Sequence, residues 1–112
     1  MKRIDEQLLR QEVQELTALL RGDPGWEDLR GALAGSGFSS DVVLLAGFAE
    51  DEGGNEWGAF VTPEGDVYKY HRDTRPGASN GFVSLRRVRD VGKAAQAFPG
   101  IKSALRMAGE DA

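Results

Sequence analysis

The only histidine in the chain, His71, begins the tripeptide His71-Arg72-Asp73, which has the letters of a protein-kinase catalytic loop. In kinases that loop carries an asparagine five residues after its aspartate, and it works with a glycine-rich loop of the form Gly-x-Gly-x-x-Gly. Here the corresponding residue is Ala78, and the chain of 112 residues contains no such glycine-rich loop. The sequence therefore excludes kinase chemistry.

Other catalytic and metal-binding roles also lack a supporting motif. His71 has the residue type of a general base, but no characteristic spacing joins it to Asp73, Ser79 or Ser84 as a triad, and we interpret it as a strand-end residue. The chain has no cysteine, which excludes thiolate catalysis and cysteine-ligated metals. The acidic run Glu50–Glu56 does not have the ligand order of an EF-hand. We therefore predict no enzyme activity, no catalytic residues, no metal and no cofactor.

Charge is distributed unevenly along the sequence. Residues 1–66 contain five lysines and arginines against 14 aspartates and glutamates, whereas residues 67–112 contain nine against four. If the two halves form separate faces, the acidic side suits a basic partner; if they interleave, the charges pair within the molecule. The sequence pI of about 5.0 disfavours nucleic-acid binding, because dedicated nucleic-acid binders are normally basic.

The apolar periodicity predicts one α+β domain over residues 1–112, with N-terminal helices, a three- to four-stranded antiparallel β-meander and C-terminal helices. Helical spacing predicts a helix over 3–21 that stops at Gly22, and Asp23-Pro24 marks the start of a second helix. The other predicted elements are strands at 41–49, 57–62 and 67–71, a loop at 72–81, a strand at 82–85, and helices after Asp90 that are interrupted at Pro99-Gly100.

The segment Thr62-Pro63-Glu64-Gly65-Asp66 is the strongest turn signal in the sequence. Proline fits the second position of such a turn, and glycine takes the positive φ that other residues avoid. The segment predicts a hairpin whose strands carry Trp57, Tyr68 and Tyr70. Residues 41–49 are apolar on both alternating faces, which suits a strand covered on one side or on both. If the sheet is packed on one side only, its opposite face exposes some of these rings.

The hairpin and the C-terminal helices together resemble small actinobacterial-type proteins that include bacterial toxin-immunity proteins. The residues that carry the resemblance are Glu56-Trp57-Gly58-Ala59-Phe60-Val61, Gly65, Val67-Tyr68, Tyr70, Phe98-Pro99-Gly100-Ile101 and Ala104-Leu105-Arg106-Met107. The resemblance implies a stoichiometric inhibitor that covers a partner's active site, and it assigns no binding residue to a numbered position. An acidic inhibitor of this type suits a basic toxin such as a nuclease.

We therefore predict a small, non-enzymatic bacterial protein-binding domain, with an immunity-type inhibitor as the form that the resemblance favours. Aromatic anchors inside a charged rim are typical of protein-binding patches. The predicted contact residues are Glu50, Asp51, Glu52, Glu56, Trp57, Tyr68 and Tyr70.

A second function stays open at this point, a small-molecule-binding regulatory domain. Its anionic ligand would lie between the sheet and the C-terminal helices, held by His71, Arg86 or Arg87. A bare sheet face would equally fit a homodimer. The missing cysteines, the polar N-terminus and the absence of an apolar run of about 20 residues predict a cytoplasmic protein with no membrane partner.

Overall fold

The computed structural model of the chain describes residues 2–75 and 83–110, with side chains from residue 6 onward. It confirms the predicted α+β class, with helices, a four-stranded antiparallel sheet in the order β1-β2-β3-β4, and helices again. No helix in this described part is long and apolar enough to cross a membrane. The elements are α1 (Lys2–Gly22), a short 3₁₀ helix (Pro24–Trp26), α2 (Glu27–Gly35), β1 (Leu44–Glu50), β2 (Asn55–Val61), β3 (Val67–Asp73), β4 (Val83–Arg87), α3 (Val91–Ala97) and α4 (Gly100–Glu110).

The 3₁₀ helix and α3 begin at the capping residues that the sequence indicates, whereas α2 begins at Glu27 without a side-chain cap. The Asp23 side chain accepts a hydrogen bond of 2.7 Å from the backbone N–H of Gly25, directly before the 3₁₀ helix. Asp90 accepts one of 3.0 Å from the backbone N–H of Lys93 at the start of α3. Each bond satisfies a backbone donor that has no partner inside the helix. Helix α1 includes Gly22, which was expected to lie just beyond its end.

Strand β1 starts three residues later than predicted. The backbone N–H groups of Val42 and Val43 both donate to the carbonyl of Ser39, and the Ser39 hydroxyl accepts from the N–H of Asp41. These turn bonds occupy donors that a strand would need, so pairing begins at Leu44. An irregularity between Leu45 and Gly47 then explains why consecutive apolar residues are buried in this strand.

The predicted hairpin is confirmed. The N–H of Thr62 donates to the carbonyl of Asp66 at 2.9 Å, and Gly65 adopts a φ of 90°, which glycine reaches at little cost. Strands β2 and β3 pair without a break along seven residues each. Pairing continues to Asp73, so the first two residues of the predicted loop are strand, and residues 76–81 of that loop lie outside the described part. The predicted fourth strand is present as β4, although Phe82 lies outside the described residues.

Both faces of the sheet are covered over much of their area, so the sheet is not packed on one side only. On the first face, Ala59, Val61 and Val67 pack with residues of α3 and α4. On the second face, Phe60 and Tyr70 pack with residues of α1 and α2. Helix α1 contributes to both clusters and covers part of the β1 edge, where the Thr17 hydroxyl accepts a hydrogen bond of 2.9 Å from the N–H of Leu45.

Candidate functional site

Two of the seven predicted contact residues are buried and cannot reach a partner in this structure. Glu56 is 3% exposed and Tyr70 is 2% exposed, because α2 and the 3₁₀ helix cover the face on which they lie. Tyr68 is half-buried on the same face, where its ring stacks on Phe60 at 5.3 Å and contacts Phe38 at 4.9 Å. Glu56 and Tyr70 therefore serve the interior of the domain, and Tyr68 is only partly exposed.

Glu56 and Tyr70 belong to a hydrogen-bonded ion cluster centred on Arg72. The Arg72 guanidinium donates to both carboxylate oxygens of Glu56, at 3.0 and 3.1 Å, and to Asp28 of α2 at 2.6 Å. The hydroxyl of Tyr70 donates to Glu56 at 2.5 Å. Arg72 also donates to the carbonyl of Gly25 and lies 4.4 Å from the centre of a Trp26 ring. The cluster thus joins β2 and β3 to the helical layer above them.

The environment of this cluster changes two pKa values in ways that preserve it. Burial, and then the hydrogen bond to Glu56, raise the pKa of Tyr70, so its phenol stays protonated and keeps donating. Burial alone lowers the pKa of Arg72, but its hydrogen bond to Glu56 and the charges of Glu56 and Asp28 outweigh that effect and raise the pKa overall. We therefore assign the cluster a structural role.

The β1–β2 turn holds the exposed acidic residues, and one of them has a structural task. The Asp51 carboxylate accepts from the backbone N–H groups of Gly53 and Asn55, both at 2.9 Å, and from the Asn55 side chain at 3.2 Å. Glu50 and Glu52 are exposed, and no side-chain hydrogen bond or ion pair joins them to other described residues. Glu50 and Glu52 are therefore the acidic residues of this turn that remain available to a partner.

Replacing Asp51 with alanine is expected to lower the melting temperature at pH 7, whereas Glu52→Ala leaves it nearly unchanged. The hydrogen bonds from Asn55 hold the pKa of Asp51 below its ordinary value. Its stabilising effect is therefore present above about pH 4 and is lost as the pH falls through the lowered pKa. Thermal melts of both variants between pH 3 and 7 check this. A deficit for Asp51→Ala that grows towards low pH would contradict the assignment.

Trp57 is the predicted contact residue whose ring is most clearly on the surface. It lies on β2 beyond the part of the first face that the helices cover, and it is 43% exposed. The His71 ring, on the paired residue of β3, lies 5.6 Å from it, and His71 Nε2 lies 3.0 Å from Asn55 Oδ1. Trp57 is thus held from one side by a neighbouring ring and open on the other. The uncovered part of this face includes Trp57 and the exposed Ser84 of β4, so a homodimer contact there stays a prediction.

His71 has no catalytic arrangement around it among the described residues. Ser84 pairs with it across β3 and β4, but its hydroxyl makes no hydrogen bond to the ring. Ser79, the other candidate nucleophile, lies outside the described part. Within the residues whose positions are given, no group of three or more histidine, aspartate or glutamate side chains could hold a metal ion.

An open groove of about 1120 Å³ lies between the first face of the sheet and α3. The buried or half-buried residues at its base are Val67, Val88, Val91, Ala94 and Phe98, and its basic residues are Lys69, Arg86, Arg87, Arg89 and Lys93. We call it the basic groove. Arg86 and Arg87 were predicted to hold an anionic ligand at this place, and both line the groove. His71, the third predicted residue, does not line it, because it points to the surface beside Trp57.

The two unevenly charged halves of the sequence interleave in part. Four ion pairs join an acidic residue of the first half to a basic residue of the second, namely Asp28 and Glu56 with Arg72, Asp66 with Arg87, and Glu6 with Arg106. The second half retains five basic side chains without a partner among the described residues: Lys69, Arg86, Arg89, Lys93 and Lys102. Four of these five line the basic groove, so the unpaired positive charge is concentrated there.

Comparisons of the chain with family models, curated proteins and solved structures found no match in any of the three. The resemblance to immunity-type proteins therefore stays a prediction.

Proposed function

We propose that this chain is a non-enzymatic protein-binding domain whose partner contacts the sheet at Trp57. The observation that carries the proposal is the 43% exposure of this ring on a strand whose neighbouring positions on the same face are covered. Tryptophan is the residue type most enriched among the few that dominate binding energy at protein interfaces. A ring held against His71 also loses little conformational freedom when a partner covers it.

The charge around Trp57 supports a basic partner. The turn that precedes it carries the exposed carboxylates of Glu50, Asp51 and Glu52, and the Asp73–Arg75 ion pair lies at the same end of the sheet. Arg72 is buried between Glu56 and Asp28, so carboxylates outnumber cations among the described residues at this end. Complementary charge of this kind accelerates association and sets orientation more than it adds affinity.

An inhibitor of immunity type, acting in the cytoplasm on a basic toxin such as a nuclease, is the specific form of the function that we propose. An inhibitor needs a rigid surface and no catalytic group, and Trp57 beside an acidic turn meets both requirements. The sequence resemblance described above supports the same form.

The test uses the whole chain as bait in a lysate of its source organism, followed by reconstitution with the purified captured protein. Truncating Trp57 to alanine is expected to weaken that complex by more than about 2 kcal/mol, roughly thirtyfold in Kd. Leu19→Ala is the matched control, because Leu19 lies on α1 and is 41% exposed. Calorimetry of the three proteins measures the difference. Equal affinities for the wild type and Trp57→Ala would remove Trp57 from the interface and end the proposal.

Charge reversal tests the acidic turn separately. We expect Glu52→Lys to slow association and to flatten the salt dependence of the affinity, because a charge at the rim acts mainly on the association rate. Glu64→Lys makes the same change in net charge on the exposed β2–β3 turn, at the other end of these strands. A partner that responds equally to both reversals would show that the acidic turn has no special part in recognition.

A further inference from the structure

We propose that the basic groove is a binding site for a small organic phosphate that carries at least two negative charges. The inference is independent of the protein-binding proposal, since Trp57 does not line the groove. The proposed site includes Arg86 and Arg87, which the sequence favoured for an anionic ligand, and adds Lys69, Arg89 and Lys93. His71 is not part of it.

Two like charges form an unfavourable pair across β3 and β4. Lys69 and Arg86 lie directly opposite each other on β3 and β4, on the face that lines the groove. Like charges at such positions destabilise a sheet, and no described carboxylate pairs with either of them. An anion in the groove would reverse the sign of this interaction, because both cations could then contact it.

The acidic residues that line the groove, Asp66 and Asp90, make contacts with other groups. Asp66 pairs with Arg87 at 2.8 Å, and Asp90 caps α3 through the N–H of Lys93. Among the described residues, neither carboxylate forms an ion pair with Lys69, Arg86, Arg89 or the Lys93 ammonium group. The described lining of the groove holds five cationic residues against two carboxylates, which leaves an excess of three positive charges.

The shape and the base of the groove favour a compact ligand with an apolar part. Its volume of about 1120 Å³ is slightly above the upper end of the volume range of ordinary small-molecule sites. The base is apolar, and the backbone N–H of Val88 donates to the carbonyl of Val67 at 2.8 Å, which fixes the groove's β3 side. A long nucleic acid would run from the groove onto a molecule with a net charge of −4, whereas a small phosphate would contact the cations alone.

Calorimetry at low ionic strength tests the proposal with four probes: inorganic triphosphate, adenosine triphosphate, uncharged adenosine and a single-stranded DNA of about 20 nucleotides. We expect both triphosphates to bind and to raise the melting temperature, and adenosine not to bind. Lys93→Gln should weaken triphosphate binding by about fivefold. Lys102→Gln is the matched control, because it removes the same charge from an exposed, unpaired lysine outside the groove.

Three results would overturn the proposal. The first is no heat of binding with either triphosphate at low ionic strength. The second is equal weakening by Lys93→Gln and Lys102→Gln, which would indicate a general charge effect instead of a site. The third is tighter binding of the DNA than of either triphosphate, which would assign the groove to nucleic acid.

Discussion

Replacing Arg72 with alanine is expected to lower the free energy of unfolding by about 3–5 kcal/mol, a large part of the stability of a domain of this size. The substitution leaves the Glu56 carboxylate buried with only the Tyr70 hydroxyl as a partner, and it removes the hydrogen bonds that join β3 to Asp28 and Gly25. An unpaired buried charge costs far more than the pair contributes. Urea denaturation followed by circular dichroism measures the change.

Two further variants test whether the loss of stability comes from the buried cluster or from the loss of any arginine. Arg75→Ala removes an arginine two residues beyond the end of β3, where its side chain is 64% exposed and pairs with Asp73. We expect this control to leave the denaturation midpoint nearly unchanged. Adding Glu56→Gln to Arg72→Ala should recover about 1–2 kcal/mol, because the uncompensated charge is then gone while the acceptor for Tyr70 remains. A loss for Arg72→Ala as small as that for Arg75→Ala would show that the cluster does not stabilise the fold.

The Arg72 cluster also shows how far the sequence alone could lead. The predicted strands at 57–62 and 67–71 stop one residue short of Glu56 and Arg72; the register set by the turn at 62–66, extended by that one residue, gives the pairing that the structure has. A glutamate and an arginine at paired positions on one face indicate an ion pair inside the hairpin. The composition of the run Glu50–Glu56 nevertheless favoured a solvated loop, because acidic residues are mostly exposed. Burial depends on α2, which covers this face from 44 residues away in the sequence.

Some features of the candidate surfaces depend on residues close in the sequence, and others depend on elements that are distant in the sequence. The turn role of Asp51 depends on neighbours within four residues, so it was accessible from local patterns. The exposure of Trp57 and the convergence of Lys69, Arg86, Arg89 and Lys93 depend on where α3 and α4 lie across the sheet. Alternation along a strand tells which residues share a face, but it does not tell which part of that face a helix covers.

The close contact between α4 and the sheet leads to the second large effect, which is expected at Gly100. A Cβ atom at this position would lie 2.1 Å from the backbone carbonyl oxygen of Ala46, and a backbone atom of a paired strand cannot move aside cheaply. We therefore expect Gly100→Ala to destabilise the protein by about 3 kcal/mol, although alanine normally favours a helix.

Gly109 is in the same helix with no atom within 4 Å of its Cβ position, so Gly109→Ala should stabilise the protein by up to about 1 kcal/mol. Denaturation of both variants gives two changes of opposite sign if α4 packs on β1 as described. Changes of the same sign would mean that propensity, and not this contact, determines the effect, and the placement of α4 beside the groove-forming helix α3 would have to be revised.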